Sequence, residues 1–432
     1  DFMKQVKIAL LGLGNVGSGV WKILNFNKSE IFKRCGFEIE IKKILVNDIN
    51  KKRYLDIPDG ILTNNFCDIL NDDSIEIVIE VMGGAYPALD YMIEAMKKKK
   101  HIVTANKLCI ALHGDRLFET ALKEKVFLYY EASVGGGIPI IKQINESLTA
   151  NKIEKIVGIV NGTTNYILSN MTESNMSFDK ALCLAKENGF AEFDPTDDIE
   201  GFDAAYKLSI MSSLSFEAPV HPNNILREGI SNIRIKDINY AKKFGYVIKL
   251  LAIGTLKNNS IEVRVHPAFV PKNHPFASVK DSFNAVYLKG NAVGDLTIYG
   301  KGAGDLPTGS AIVSDLLSIL RNNLNYCGIN QARNLNNKYD ILPSDEIESE
   351  YYIRLNVKDK PGIIGDIGTL LGENNISISL VTQDIQTKHQ VDLIFLTQKC
   401  KEKSINNFKE KINNYKNLNK LENIIRIENL NN

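Results

Sequence analysis

Residues 6–17, VKIALLGLGNVG, decide the fold of the first part of the chain. The apolar run at 6–11 reads as a buried strand, and residues 18–26, SGVWKILNF, carry apolar positions at helical spacing. Between them stands G-x-G-x-x-G, in the strand-to-helix context that gives each glycine a task. Gly12 permits the tight turn, Gly14 lets backbone N–H groups approach a pyrophosphate, and Gly17 lets helix and strand pack closely. Asn15 and Val16 open the helix, whose N-terminus would face the phosphates of a dinucleotide. The competing reading is a turn with no ligand.

Downstream, strands at 39–46 (IEIKKILV), 75–82 (IEIVIEVM), within 101–107 (HIVTANK, strand then loop) and at 126–133 (VFLYYEAS) alternate with helices at 90–100 and 115–125. That alternation predicts an α/β domain with a doubly wound parallel sheet of the Rossmann type. Lys107 ends VTANK in a loop at the mouth of a strand, where open α/β sheets bind ligands. The second strand ends near the adenosine ribose. Asp48 there suits the free 2′-hydroxyl of NAD, whereas Lys51, Lys52 and Arg53 suit the 2′-phosphate of NADP or line a solvated loop. Both cofactors stay open.

A chain of 432 residues needs two or three cores. A net charge of +1 gives no electrostatic reason to expect nucleic acid or an anionic membrane as partner. No stretch approaches membrane-spanning length. The N-terminal apolar run is too short and glycine-broken for a signal peptide, and Asp1 and Phe2 read as residues added ahead of a natural Met3 start. Six cysteines (Cys35, Cys67, Cys109, Cys183, Cys327, Cys400) show no paired spacing, which predicts reduced thiols in the cytoplasm. Six histidines form no metal-binding pair.

From about residue 150 the texture changes to a mixed α+β pattern. It has helices around 165–172, 177–188 and 203–215 and short strands over 246–298. Residues 300–320, GKGAGDLPTGSAIVSDLLSIL, read as a glycine-rich turn opening a long helix. The predicted domains are 3–130, completed by 300–333, for the nucleotide; 131–299 for the substrate; a polar linker at 334–348; and 349–432, whose order βαββαβ is ferredoxin-like.

Residues 191–207, AEFDPTDDIEGFDAAYK, gather six carboxylates ahead of Lys207. The spacing does not fit a calcium loop. A solvated acidic face accounts for residues such as Glu200. The remaining reading is a pocket for a cationic substrate. Asp203 and Lys207 stand four apart and share a helix face, where the carboxylate orients the ammonium and holds it charged.

With GLGNVG, EVMGG (80–84), VTANK (103–107), YEASVGGGIPII (130–141), GIVNGTTNYIL (158–168) and the acidic run in this order, residues 3 to about 330 resemble homoserine dehydrogenase. The C-terminal unit, with DKPGIIGDIG at 359–368, resembles an ACT domain. Together they resemble the longer bacterial enzymes without a fused aspartate kinase. The resemblance implies NAD(P)H-dependent, reversible reduction of L-aspartate 4-semialdehyde to L-homoserine, on the route to threonine, methionine and isoleucine. It implies Lys207 as proton donor, Lys107 as a second lysine near nicotinamide and substrate, and Glu192, Asp198 and Asp203 as substrate-binding acids. Met82, Gly83 and Gly302 would join Gly12, Gly14, Asn15, Val16, Gly17 and Lys107 around the nucleotide.

The resemblance further implies a sodium ion on the backbone carbonyls of Glu131, Val134, Gly136 and Ile138, against a metal-free glycine hinge. NGTTNYI, 161–167, would shape the substrate side, or supply a helix cap at Thr163 or Thr164. ACT domains pair across subunits, which implies a dimer or tetramer, with threonine as effector or with no effector at all. Two other readings stand beside this one: a related dehydrogenase of another amino-acid-derived aldehyde, and a non-catalytic amino-acid sensor. Intact Lys107, Lys207 and GLGNVG argue against the sensor.

Overall fold

The apolar run at the start of the chain forms strand β1 (Lys4–Leu11), and the glycine loop leads into helix α1 (Asn15–Phe26). The structure is a computed structural model and describes residues 4–322, 335, 338–387 and 389–430. Asp1, Phe2, Cys327, residues 323–333 of the expected nucleotide domain, and residues 334, 336 and 337 of the expected linker lie outside the described residues.

The chain divides into two units. The first comprises Asp1–Ile156, Tyr206–Asn223 and Phe283–Lys338; the second comprises Val157–Ala205, Asn224–Ser282 and Tyr339–Asn432. In the first unit β2 (Phe37–Leu45), β3 (Leu62–Thr63), β4 (Ile75–Glu80), β5 (His101–Thr104) and β6 (Leu128–Tyr129) join β1 in the order β3-β2-β1-β4-β5-β6. Every pairing is parallel. The order reverses between β1 and β4, which puts the switch point of a doubly wound sheet at the carboxyl ends of those two strands. Ile8, Leu10, Ile77, Ile79 and Val103 from the sheet pack with Val20 and Ile23 of α1 and with Ile312, Leu316 and Ile319 of the helix Asp305–Asn322. Burying a side chain of this size stabilises by about 1.5–3 kcal/mol.

Two expectations change here. The strand expected over 126–133 is only Leu128–Tyr129, followed by a 3₁₀ turn at Glu131–Ser133. The helix expected over 115–125 begins eight residues earlier, as Lys107–Glu124, with a kink at His113 (φ −134°). That break interrupts the helical period and hides the first turns from a reading by spacing.

In the second unit the helices Gly162–Ser174 and Phe178–Glu187 accompany an antiparallel hairpin, Tyr246–Lys257 with Ser260–Pro271. The C-terminal module has the predicted βαββαβ order. Glu348–Lys358 and Gln390–Thr397 are its central strands, flanked by Leu418–Ile427 and Ile378–Thr387. Tyr351, Ile353, Leu355 and Val357 alternate onto one face and pack on Ile367, Leu371, Phe408 and Ile412 of the module's two helices. The opposite face carries Tyr352 and Arg354, which both bond to Asp237 on the helix Ile235–Lys243. The last strand also pairs in parallel with the hairpin, Ala268 opposite Arg426. The module is thus built into the sheet of this unit. Among the described residues no helix is long and apolar enough to cross a membrane.

Candidate active site

At the switch point, the Gly12 N–H donates to the Leu45 carbonyl (2.9 Å) and its φ is +104°. A Cβ there would meet the Val81 carbonyl oxygen at 2.9 Å, and one on Gly17 would meet the Gly12 oxygen at 2.3 Å. Packing within the protein therefore accounts for both glycines. It does not account for Gly14, where a Cβ would meet nothing within 4 Å. The open space over Gly14, at the N-cap of α1, is what a pyrophosphate approaching the helix N-terminus requires, so the loop fits a dinucleotide. Asn15 and Val16 form the first turn of α1.

On the loop after β2, the Asp48 carboxylate accepts from the Asn50 N–H (2.8 Å), and Arg53 donates to the carbonyls of Lys51 (2.9 Å) and Asp48 (2.7 Å). Lys51 and Lys52 are exposed on the same loop.

Beside the glycine loop lies a group that the motif reading passed over. Glu80 ends β4 fully buried, and burial raises its pKa. Its carboxylate accepts from the Met82 N–H (2.8 Å) and the Thr104 hydroxyl (2.6 Å). The Thr104 oxygen in turn accepts from the Asn106 N–H (2.9 Å). The Asn106 side chain donates to the Gly84 carbonyl (2.6 Å) and caps the helix through Cys109 N–H (3.1 Å). Met82, Gly83 (φ +79°) and Lys107, the first residue of that helix, are all set by this network. Lys107 is a helix N1 residue and not the loop residue expected from VTANK.

In the acidic segment the carboxylates separate by task. Asp194 accepts from Thr196 N–H (3.1 Å) and hydroxyl (2.6 Å), a local turn. Glu200 was expected on a solvated face, but it is half-buried against the Ser231 hydroxyl, and Arg227 donates to its carbonyl. Asp198 and Asp203 converge on one amide: Asn161 donates to Asp198 at 2.6 Å and to Asp203 at 2.9 Å. Asp203 is buried, Asp198 half-buried. Glu192 is exposed and shares no hydrogen bond with this pair among the described residues. The Thr163 hydroxyl donates to the Phe190 carbonyl (2.6 Å), tying that arm to the helix Gly162–Ser174. The cap of this helix is Asn161, which accepts from Thr164 N–H (2.8 Å), and not Thr163 or Thr164. Asp203 and Lys207 lie one turn apart on the helix Phe202–Phe216, and Lys207 is half-buried.

The glycine hinge resolves into backbone geometry. Glu131 commits its carboxylate to the N–H groups of Ile141 and Lys142 (both 2.8 Å), and its carbonyl accepts from the Val134 N–H (3.3 Å). Gly136 (φ +55°) passes so close to Gly302 that a Cβ would sit 2.4 Å from the Gly302 oxygen. Val134 and Ile138 are buried on either side. Backbone carbonyls are the donor type a hard monovalent cation takes; here that of Ile138 accepts from the Ile140 N–H (2.9 Å). Sequence reading also missed Asn284, which is 1% exposed, whose side-chain amide has no hydrogen-bond partner among the described residues and which lies over Gly302. No motif marks it, because it is a single polar residue in an apolar strand.

The dinucleotide fold and the site at its strand ends define the class, an oxidoreductase with a nicotinamide-binding unit and a C-terminal ACT domain. Residues 12–131 match the homoserine dehydrogenase NAD-binding domain, 139–317 the homoserine dehydrogenase family and 351–417 the ACT domain. The chain is 36% identical to homoserine dehydrogenase of Bacillus subtilis, covering 99% of each, and 40% identical to that of Neisseria gonorrhoeae, covering 93% of this chain and 94% of the relative. A homoserine dehydrogenase structure from Thiobacillus denitrificans superposes with a TM-score of 0.93 at 40% identity, covering 99% of both chains. A hyperthermophilic archaeal homoserine dehydrogenase in complex with NADPH superposes at 0.63 and 25% identity, covering 73% of this chain and 97% of that one. The chain belongs to the homoserine dehydrogenase family.

Proposed function

We propose that this homoserine dehydrogenase binds the α-ammonium of aspartate semialdehyde between Asp198 and Asp203, with Glu192 closing from the exposed arm, and protonates the aldehyde oxygen from Lys207. The observation that carries this reading is the convergence of Asp198 and Asp203 on Asn161, with Asp203 one turn ahead of Lys207. Two carboxylates fixed together make a site for one cation, and charge-assisted hydrogen bonds to an ammonium are strong. A reduced nicotinamide, when bound, supplies the hydride. Lys207 stabilises the charge developing on the aldehyde oxygen and donates the proton. Lys107, set by the Glu80 network, is the second cation at the reacting end.

Gly12, Gly14, Asn15, Val16, Gly17, Met82, Gly83 and Gly302 line the nucleotide. NADPH is the better cofactor. The Asp48 carboxylate is engaged in its own turn while Lys51 and Lys52 stand exposed, and a relative is known with NADPH. The carbonyls of Glu131, Val134, Gly136 and Ile138 would hold a sodium ion. Threonine acts on the ACT domain, whose turn at Asp359–Gly365 lines a pocket with Gln383 and Val391. The working form is a dimer or tetramer. The setting is the cytoplasm, in keeping with the free thiols of Cys35, Cys67, Cys109, Cys183 and Cys400.

Steady-state kinetics of Asp198→Asn and Asp203→Asn, with NADPH and NADH in parallel, test the reading. The KM for aspartate semialdehyde should rise at least about tenfold while the KM for the nucleotide holds. An unchanged substrate KM in both variants would sink it.

A further inference from the structure

Asn161 does more than a helix cap needs. A cap needs one acceptor, and Ser, Thr or Asp supplies it about as well as Asn. Here Oδ1 takes that role, accepting from Thr164 N–H at 2.8 Å and from the Thr164 hydroxyl at 2.9 Å. Among these cap residues only Asn adds an N–H₂ group on the same rigid plane. Nδ2 spends both donors on carboxylates, Asp198 at 2.6 Å and Asp203 at 2.9 Å. With two acceptor and two donor contacts and only 5% exposure, the side chain has one orientation. The two oxygens it grips come from different elements, the short helix Thr196–Ile199 and the start of the helix Phe202–Phe216.

We infer that Asn161 is a positioning residue that fixes the separation of Asp198 and Asp203 so that both can engage one ammonium of the amino-acid substrate. This rests on the substrate-site reading above. A neutral amide suits the role because it donates to two anions without supplying the charge that the substrate brings. A carboxylate at this position would add a third anion and favour protonation of the cluster.

Asn161→Ser and Asn161→Asp separate the bridge from the cap, since both retain the cap acceptor. For Asn161→Ser the helical circular-dichroism signal and NADPH Kd should hold, while the KM for aspartate semialdehyde rises about tenfold or more. For Asn161→Asp the acid limb of the kcat/KM profile should move to higher pH. A substrate KM within twofold of wild type in Asn161→Ser, together with an unmoved acid limb in Asn161→Asp, would overturn the inference. Running Asp198→Asn and Asp203→Asn alongside distinguishes the two failures. If they raise the substrate KM and the Asn161 variants do not, only the positioning role falls. If none of the four moves it, the substrate-site reading falls as well.

Discussion

Arg426 grips Glu228 with two parallel hydrogen bonds, Nη1 to Oε2 at 2.9 Å and Nη2 to Oε1 at 3.0 Å. Arg426 closes the last strand of the ACT domain and its side chain is 2% exposed, with a second carboxylate, Glu402, at 2.8 Å. Next to Glu228, Arg227 stacks on the ring of Phe202 at 3.4 Å and donates to the Glu200 carbonyl. A continuous run of charge and stacking contacts therefore leads from the ACT strand to the turn just ahead of Asp203.

Removing the arginine leaves Glu228 and the buried Glu402 without their cation. Losing one partner of a buried pair costs about 3–5 kcal/mol. Arg426→Met should lower the unfolding free energy by an amount in that range, read by urea titration. It should also raise the KM for aspartate semialdehyde more than the KM for the nucleotide. A variant as stable as wild type would mean that the pair is solvated.

Glu80 organises the start of the helix that bears Lys107. Glu80→Ala strips the buried acceptor from the Thr104 hydroxyl and the Met82 N–H, which should cost about 1–3 kcal/mol of stability. Because the same network sets the start of the helix bearing Lys107, kcat should fall and NADPH Kd should rise, with little change in the substrate KM. Isothermal titration with NADPH and saturating-substrate rates check this. A raised substrate KM alone would contradict it.

His101 supplies a pH signature. It packs on Phe127 and its Nδ1 accepts from the Phe127 N–H (3.0 Å), and burial lowers its pKa from 6.5 to about 4. The unfolded chain takes up a proton near pH 6.5 and the folded one only near pH 4. Stability is therefore whole above pH 6.5 and falls as pH drops between those values, by up to about 1.4 kcal/mol per pH unit. His101→Asn should flatten that part of the profile, measured by thermal unfolding from pH 4 to pH 7. An unaltered slope would show that other groups carry it.

The sequence is most legible where local chemistry decides structure. The glycine loop, the parallel α/β alternation and the βαββαβ tail all follow from turn residues and periodicity. It is least legible where distant segments meet. The hold of Asn161 on Asp198 and Asp203 spans 37 and 42 residues, and that of Arg426 on Glu228 spans 198. Spacing carries no trace of such contacts. The parallel pairing of the tail's last strand with the hairpin strand is another such contact, between segments about 158 residues apart. The start of the helix at Lys107 is hidden because the kink at His113 breaks the helical period.

The most direct test is the rate of NADPH oxidation at 340 nm by Lys207→Met with saturating aspartate semialdehyde, alongside NADPH Kd by fluorescence. A proton donor that also stabilises the developing oxyanion should cost kcat about a hundredfold to ten-thousandfold when removed, with the nucleotide Kd within twofold of wild type. A kcat equal to wild type would contradict the assignment of the proton to Lys207.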